Sequence, residues 1–161
     1  MLRLRSTSLA TTHAVAAAIA SLARSGDVIV LAGEMGSGKT AFAQGFGAAL
    51  GVKDHMTSPT FTLVHSHPAG RLTLHHADLY RLSTHYEVAD LALSELVEAD
   101  GILLVEWGDV VARSLGDHLL VRLEPVPEDE HARDIEISAS GSGWATRWAR
   151  LQAAVAAVAP C

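Results

Sequence analysis

Apolar positions along this chain switch repeatedly between helical and strand spacing. Val15, Ile19 and Leu22 recur at helical intervals, and Thr11 or Thr12 stands where a cap would, so a first helix is predicted from there to about Arg24. Ser25-Gly26-Asp27 reads as a turn. Val28-Ile29-Val30-Leu31-Ala32 is a continuous apolar run rich in β-branched residues, the pattern of a strand buried on both faces. A glycine-rich loop follows, then a helix from about Lys39 to Leu50, stopped near Gly51. Residues 57–67 and 71–76 predict two strands joined at Pro68-Ala69-Gly70. Val88, Leu91 and Leu96 mark a helix over 84–98, ending at Asp100-Gly101. Ile102-Leu103-Leu104-Val105 is a second buried-strand run, and Leu119–Leu123 and Asp134–Ser138 read as later strands. The acid- and proline-bearing stretch Glu124–Arg133 reads as a solvated hairpin loop between them. A last helix is predicted over 142–159, with Trp144 and Trp148 on one face packed against the body.

This alternation predicts an α/β fold. With 161 residues and 49% apolar content, one domain spanning the chain is expected. No apolar run reaches the roughly 18 residues a membrane span needs, and no signal peptide is expected. The single cysteine, Cys161, asks for no oxidising compartment, so a cytoplasmic protein without membrane association is expected. The formal net charge of −6, with no basic run, argues against a protein that wraps nucleic acid through its phosphates.

The chemistry concentrates in Gly33-Glu34-Met35-Gly36-Ser37-Gly38-Lys39-Thr40, which fits the P-loop pattern G-x-x-x-x-G-K-[ST]. Glycines let backbone N–H groups curl around phosphate oxygens with no Cβ in the way. The helix that opens here, through residues such as Ala41, adds its unpaired N–H groups and the positive end of its dipole. Lys39 supplies a mobile charge for the β and γ phosphates, and the Thr40 hydroxyl can ligate magnesium. The chain has only two lysines, Lys39 and Lys53, which gives the place of Lys39 in this loop more weight.

Ile102–Val105 ending in Glu106 forms a Walker-B-like strand. Its carboxylate is expected beside the loop, holding magnesium through water or orienting a nucleophilic water. Trp107 reads either as core packing or as a cover on the site. Asp78, after a predicted strand, is a candidate magnesium acid or base, and equally a turn-capping aspartate. Thr57-Ser58-Pro59-Thr60-Phe61-Thr62 resembles the hydroxyl-bearing loops that sense a γ-phosphate, and also a plain Ser-Pro turn. His65 and His67 would share a strand face, but no cysteine is near and no ligand spacing recurs, so a metal site there is not expected.

Four segments taken together, Gly33–Thr40, Thr57-Ser58-Pro59-Thr60-Phe61-Thr62, His76-Ala77-Asp78-Leu79-Tyr80-Arg81 and Val105-Glu106-Trp107, resemble the bacterial TsaE family in order and spacing. That family is the ATPase of tRNA threonylcarbamoyladenosine biosynthesis, and the resemblance runs from about residue 10 to about 138. It implies a P-loop α/β sheet flanked by helices. It also implies weak ATP hydrolysis by the chain alone and two partners, a threonylcarbamoyl transferase and its paralogous binding subunit. The ATP cycle would reset that complex, with tRNA met only through it. Carried over by position, the resemblance assigns Lys39 to phosphate, Thr40 and Glu106 to magnesium, and Asp78 to hydrolysis. It places Thr60 in a switch-like segment and Trp107 after the acid. Thr12 resembles a threonine near the family's adenine, and Arg133 a late arginine near the nucleotide. Glu34 stands where the family commonly has Asp, and the chain beyond about 140 matches no family pattern.

Other classes fit less well. A free-standing small-molecule kinase needs a lid, usually arginine-rich, and residues 82–100 hold acids but no arginine. A GTPase needs an asparagine-bearing guanine reader, and the chain has no asparagine. A nucleotide-gated module without turnover would look the same in sequence.

Overall fold

A computed structural model of the chain describes residues 1–34, 36–57, 64–79, 95, 97, 100–106 and 115–159. Its elements are β1 (Leu2–Ser6), α1 (Leu9–Ala20), β2 (Val28–Ala32), α2 (Lys39–Leu50), β3 (Val64–Ala69), β4 (Leu72–Asp78), β5 (Gly101–Glu106), β6 (His118–Val126), β7 (Asp129–Ser140), a 3-10 turn (Ala145–Arg147) and α3 (Trp148–Val158). The strands form one mixed sheet in the order β1-β7-β6-β2-β5-β4-β3. β2 lies parallel to both β5 and β6, and β5 lies parallel to β4. The remaining pairs are antiparallel.

The two continuous apolar runs take the centre because every residue of β2 and β5 is buried. Such strands can be satisfied only between neighbours and under cover on both faces. Alternation then sorts the core. Ile29, Leu31, Ile102, Leu104, Leu74, Leu119 and Val121 pack with side chains of α1, α2 and α3. Val28, Val30, Leu103, Val105 and Ala77 face the other way. α1 and α2 approach closely at Gly45, where a Cβ would come within 2.8 Å of the His13 Cα.

Several sequence expectations are corrected. Helix α1 begins at Leu9, capped by Ser8, whose hydroxyl accepts from the Thr11 N–H at 3.1 Å. It ends at Ala20 rather than Arg24. Strand β1 was not anticipated, although Leu2-Arg3-Leu4-Arg5 alternates. Leu4 and Ser6 are its buried positions. The expected loop over Glu124–Arg133 is almost all strand. β6 and β7 pair through it, with the register slipping beside Pro125 and Val126, because Val126 and Ala132 are drawn into the core. Pro68 lies inside β3 rather than in the turn, which is tolerated because β3 is an edge strand. The last helix starts at Trp148, after the 3-10 turn.

Trp144 precedes that turn and is 2% exposed, with the Arg147 guanidinium 4.0 Å from its ring centroid. Trp148 is half-buried against the main core. Arg147 also pairs with Asp27 at 2.7 Å and donates to the Leu22 carbonyl oxygen, tying the C-terminal segment to the turn before β2. The predicted helix 84–98 lies almost entirely outside the described residues.

Candidate phosphate-binding site

β2 ends at Ala32 and α2 starts at Lys39, so the glycine-rich loop spans the strand-to-helix turn. Gly33, Gly36 and Gly38 have φ of 140°, 81° and 103°, a region side chains rarely adopt. At Gly33 a Cβ would also collide with the Leu123 carbonyl oxygen of β6. The loop is pinned from inside. The Lys39 ammonium donates to the carbonyl oxygens of Gly33 and Glu34, at 2.6 and 2.8 Å, and Ser37 is fully buried. Thr40 and Ala41 are half-buried in the first turn of α2, where backbone N–H groups have no partner within a helix.

Arg133 of β7 grips the loop from its other side. Its Nε donates to the Ser37 carbonyl oxygen at 2.9 Å and its second terminal nitrogen to that of Gly36 at 3.3 Å. Arg133 is also the register partner of Ser6 on β1, and Ser6 shares a 2.6 Å hydroxyl hydrogen bond with Thr12. Thr12 is thus joined to the loop through Ser6 and the β1–β7 pairing.

The acids arrive at the same edge of the sheet. Asp78 and Glu106 end the neighbouring parallel strands β4 and β5 and are register partners. Glu106 is in turn the partner of Leu31, two residues before Gly33. Both acids are 2% exposed. One further side chain joins them. His76 is completely buried, and its Nε2 lies 2.5 Å from Oε2 of Glu106. Sequence reasoning carried His76 only within the His76–Arg81 segment of the family resemblance and as one of the hairpin histidines not expected to bind metal, with no link to Glu106. The signal was there: His76 precedes Asp78 by two residues on one strand, and period-two alternation puts them on one face.

The pair His65 and His67 lies further along that face, ring centroids 6.0 Å apart and edge-on. Burial and the neighbouring His76 and His65 hold the His67 pKa below its ordinary value. Among the described residues no group of three or more His, Cys, Asp or Glu could hold a metal by itself. Met35, Thr60 and Trp107 lie outside the described residues.

The residues present suit a magnesium nucleotide. Positive-φ glycines, a buried lysine and a helix N-terminus are donors for phosphate. A hydroxyl and two carboxylates are hard oxygen ligands of the kind magnesium takes. Among the described residues no helix is long and apolar enough to cross a membrane.

Comparison with known proteins gives the family and the fold. A family model described as threonylcarbamoyl adenosine biosynthesis protein TsaE matches residues 6–135. The tRNA threonylcarbamoyladenosine biosynthesis protein TsaE of Bacillus subtilis is 37% identical over 132 residues, 81% of each chain. Its namesake in Streptomyces coelicolor is 37% identical over 134 residues, covering 80% of this chain and 90% of the relative. The crystal structure of Bacillus subtilis YdiB superposes with a TM-score of 0.74 at 30% identity, over 97% of this chain and 94% of that one. With the family match spanning the P-loop, the acid pair and Arg133 alike, the chain belongs to the TsaE family of tRNA threonylcarbamoyladenosine biosynthesis proteins.

Proposed function

We propose that this chain is the ATPase of threonylcarbamoyladenosine formation on tRNA, working as one cytoplasmic P-loop domain. It hydrolyses ATP to ADP and phosphate, slowly alone and faster with a threonylcarbamoyl transferase and the paralogous binding subunit of that enzyme. Transfer chemistry belongs to the partner, and tRNA is met through the complex. The observation that carries the reading is the meeting at one sheet edge of the Lys39 loop with the Asp78–Glu106 pair.

Lys39 and the loop amides bind the phosphate oxygens, with Arg133 keeping the loop in shape from the side. The Thr40 hydroxyl and the Glu106 carboxylate would hold magnesium. Asp78 stands next to Glu106 to orient water or accept its proton. The chemistry that magnesium supplies when bound is neutralisation of phosphate charge as the terminal phosphoryl group leaves. Thr12, Thr60 and Trp107 complete the nucleotide surroundings in this reading.

The test is ATP hydrolysis by the purified chain, alone and with the two candidate partners. Slow turnover that rises with the partners and disappears in Lys39→Ala is expected. Brisk phosphate transfer to a small metabolite, indifferent to the partners, would replace this reading with that of a kinase.

A further inference from the structure

The end of β4 and the end of β5 place three polar side chains on one face of the sheet. His76 and Leu104 are register partners, as are Asp78 and Glu106, so His76 stands diagonally across from Glu106. The imidazole is wholly buried and its Nε2 lies 2.5 Å from Glu106 Oε2. Its other nitrogen, Nδ1, is buried and has no hydrogen-bond partner among the described residues. An ionised carboxylate only accepts hydrogen bonds, so the ring hydrogen facing Glu106 belongs on Nε2. That assigns the direction of the bond: Nε2–H donates and the carboxylate accepts.

We infer that His76 is a positioning residue for Glu106, which rests on the proposed role of Glu106 at the magnesium site. A glutamate side chain has several rotamers, and a carboxylate at the end of a strand can swing among them. The bond from His76 occupies one oxygen and selects one of those rotamers. The second oxygen remains for magnesium or its water. Partners that fix a liganding carboxylate in this way typically contribute about ten- to a hundredfold to metal affinity or activity. A histidine that only fills space would be replaceable by an apolar residue of similar size.

The test uses the full chain with His76→Leu, His76→Gln and His76→Asn. Glutamine can offer a donor near the Nε2 position, whereas asparagine is too short to reach Glu106. Affinity for a fluorescent ATP analogue is measured with and without magnesium, alongside turnover, thermal unfolding and a nitrogen-15 histidine spectrum of the unaltered chain. Leucine and asparagine are expected to leave magnesium-free binding unchanged, to lose most of the magnesium-dependent gain, and to lower kcat about tenfold or more. Glutamine should recover most of both, and the spectrum should show the hydrogen on Nε2.

Equal magnesium dependence in all three variants and the unaltered chain, or a hydrogen on Nδ1, would overturn the inference. Should the leucine variant fail to fold, the contrast between glutamine and asparagine decides in the same way. Lys39→Ala separates the two levels. If it binds nucleotide normally, the magnesium-ATP reading fails and takes this inference with it. If it loses nucleotide while the His76 variants match the unaltered chain, only the positioning role falls.

Discussion

Arg133 and Ser37 are 96 positions apart in the chain, yet the Arg133 Nε donates to the Ser37 carbonyl oxygen at 2.9 Å. This bond joins β7 to the middle of the glycine loop and orients a carbonyl that would otherwise be free to turn. Replacing Arg133 with alanine should weaken ATP affinity by about ten- to a hundredfold, the size of one charge-assisted hydrogen bond of roughly 1.5–3 kcal/mol. Titration of a fluorescent nucleotide checks this. Lysine at 133 should recover little, because it lacks the planar fork that reaches Ser37 and Gly36 together.

Glu106→Gln should lower ATP turnover by about a hundredfold while changing nucleotide affinity far less, as expected for a group acting on charge that develops in the reaction. Single-turnover kinetics beside equilibrium binding separates the two effects. Unchanged turnover would remove Glu106 from the chemistry.

Gly33→Ala should disable the loop by a backbone route. Its φ of 140° disfavours any side chain, and the new methyl group would meet the Leu123 carbonyl oxygen of β6, which cannot move without the sheet. A loss of about 3 kcal/mol in unfolding free energy is expected, together with lost nucleotide binding. Gly36→Ala, with nothing among the described residues within 4 Å of its Cβ, should cost clearly less. Chemical denaturation of the two variants makes the comparison.

Two ion pairs should differ in weight because they differ in burial. Arg147 and Asp27 have side chains 4% and 11% exposed, so Arg147→Ala leaves a carboxylate poorly solvated and should cost about 3 kcal/mol. Arg5 and Asp134, at 56% and 49%, hold the Asp134 carboxyl below its usual range through the hydrogen bond from Arg5. That contribution is present above the ordinary carboxylate value and fades as pH falls through the lowered one. It should be small and should shrink with salt. Urea melts of Arg5→Ala at neutral and acid pH, at two salt concentrations, would show it.

His67 predicts a second pH effect of definite sign. Burial lowers its folded pKa, so the unfolded chain takes up the proton first and stability falls as pH drops below about 6.5. His67→Leu should flatten that decline between neutral and mildly acid pH. An unchanged slope in thermal unfolding would exclude His67 as its source.

Legibility in the sequence followed the range of the interactions concerned. Two apolar runs, a glycine pattern and a lysine sufficed for β2, the loop, α2 and β5, because such signals are local: burial on both faces, φ above zero and a helix start are each written within about ten residues. The acid ending β5 was legible for the same reason. Tertiary structure decided the rest. The two-residue connection between β6 and β7 replaced an expected loop, since Val126 and Ala132 gain burial that composition does not reveal. Strand β1 exists because β7 offers an edge to pair with. The grip of Arg133 on the loop and the bond of His76 to Glu106 depend on strand order and register, which bring residues 96 and 30 positions apart into contact. Local periodicity carries no record of which strands become neighbours, and so the sequence alone determined the glycine loop, its lysine and the strand-end acid, while the sheet decided which side chains stand against them.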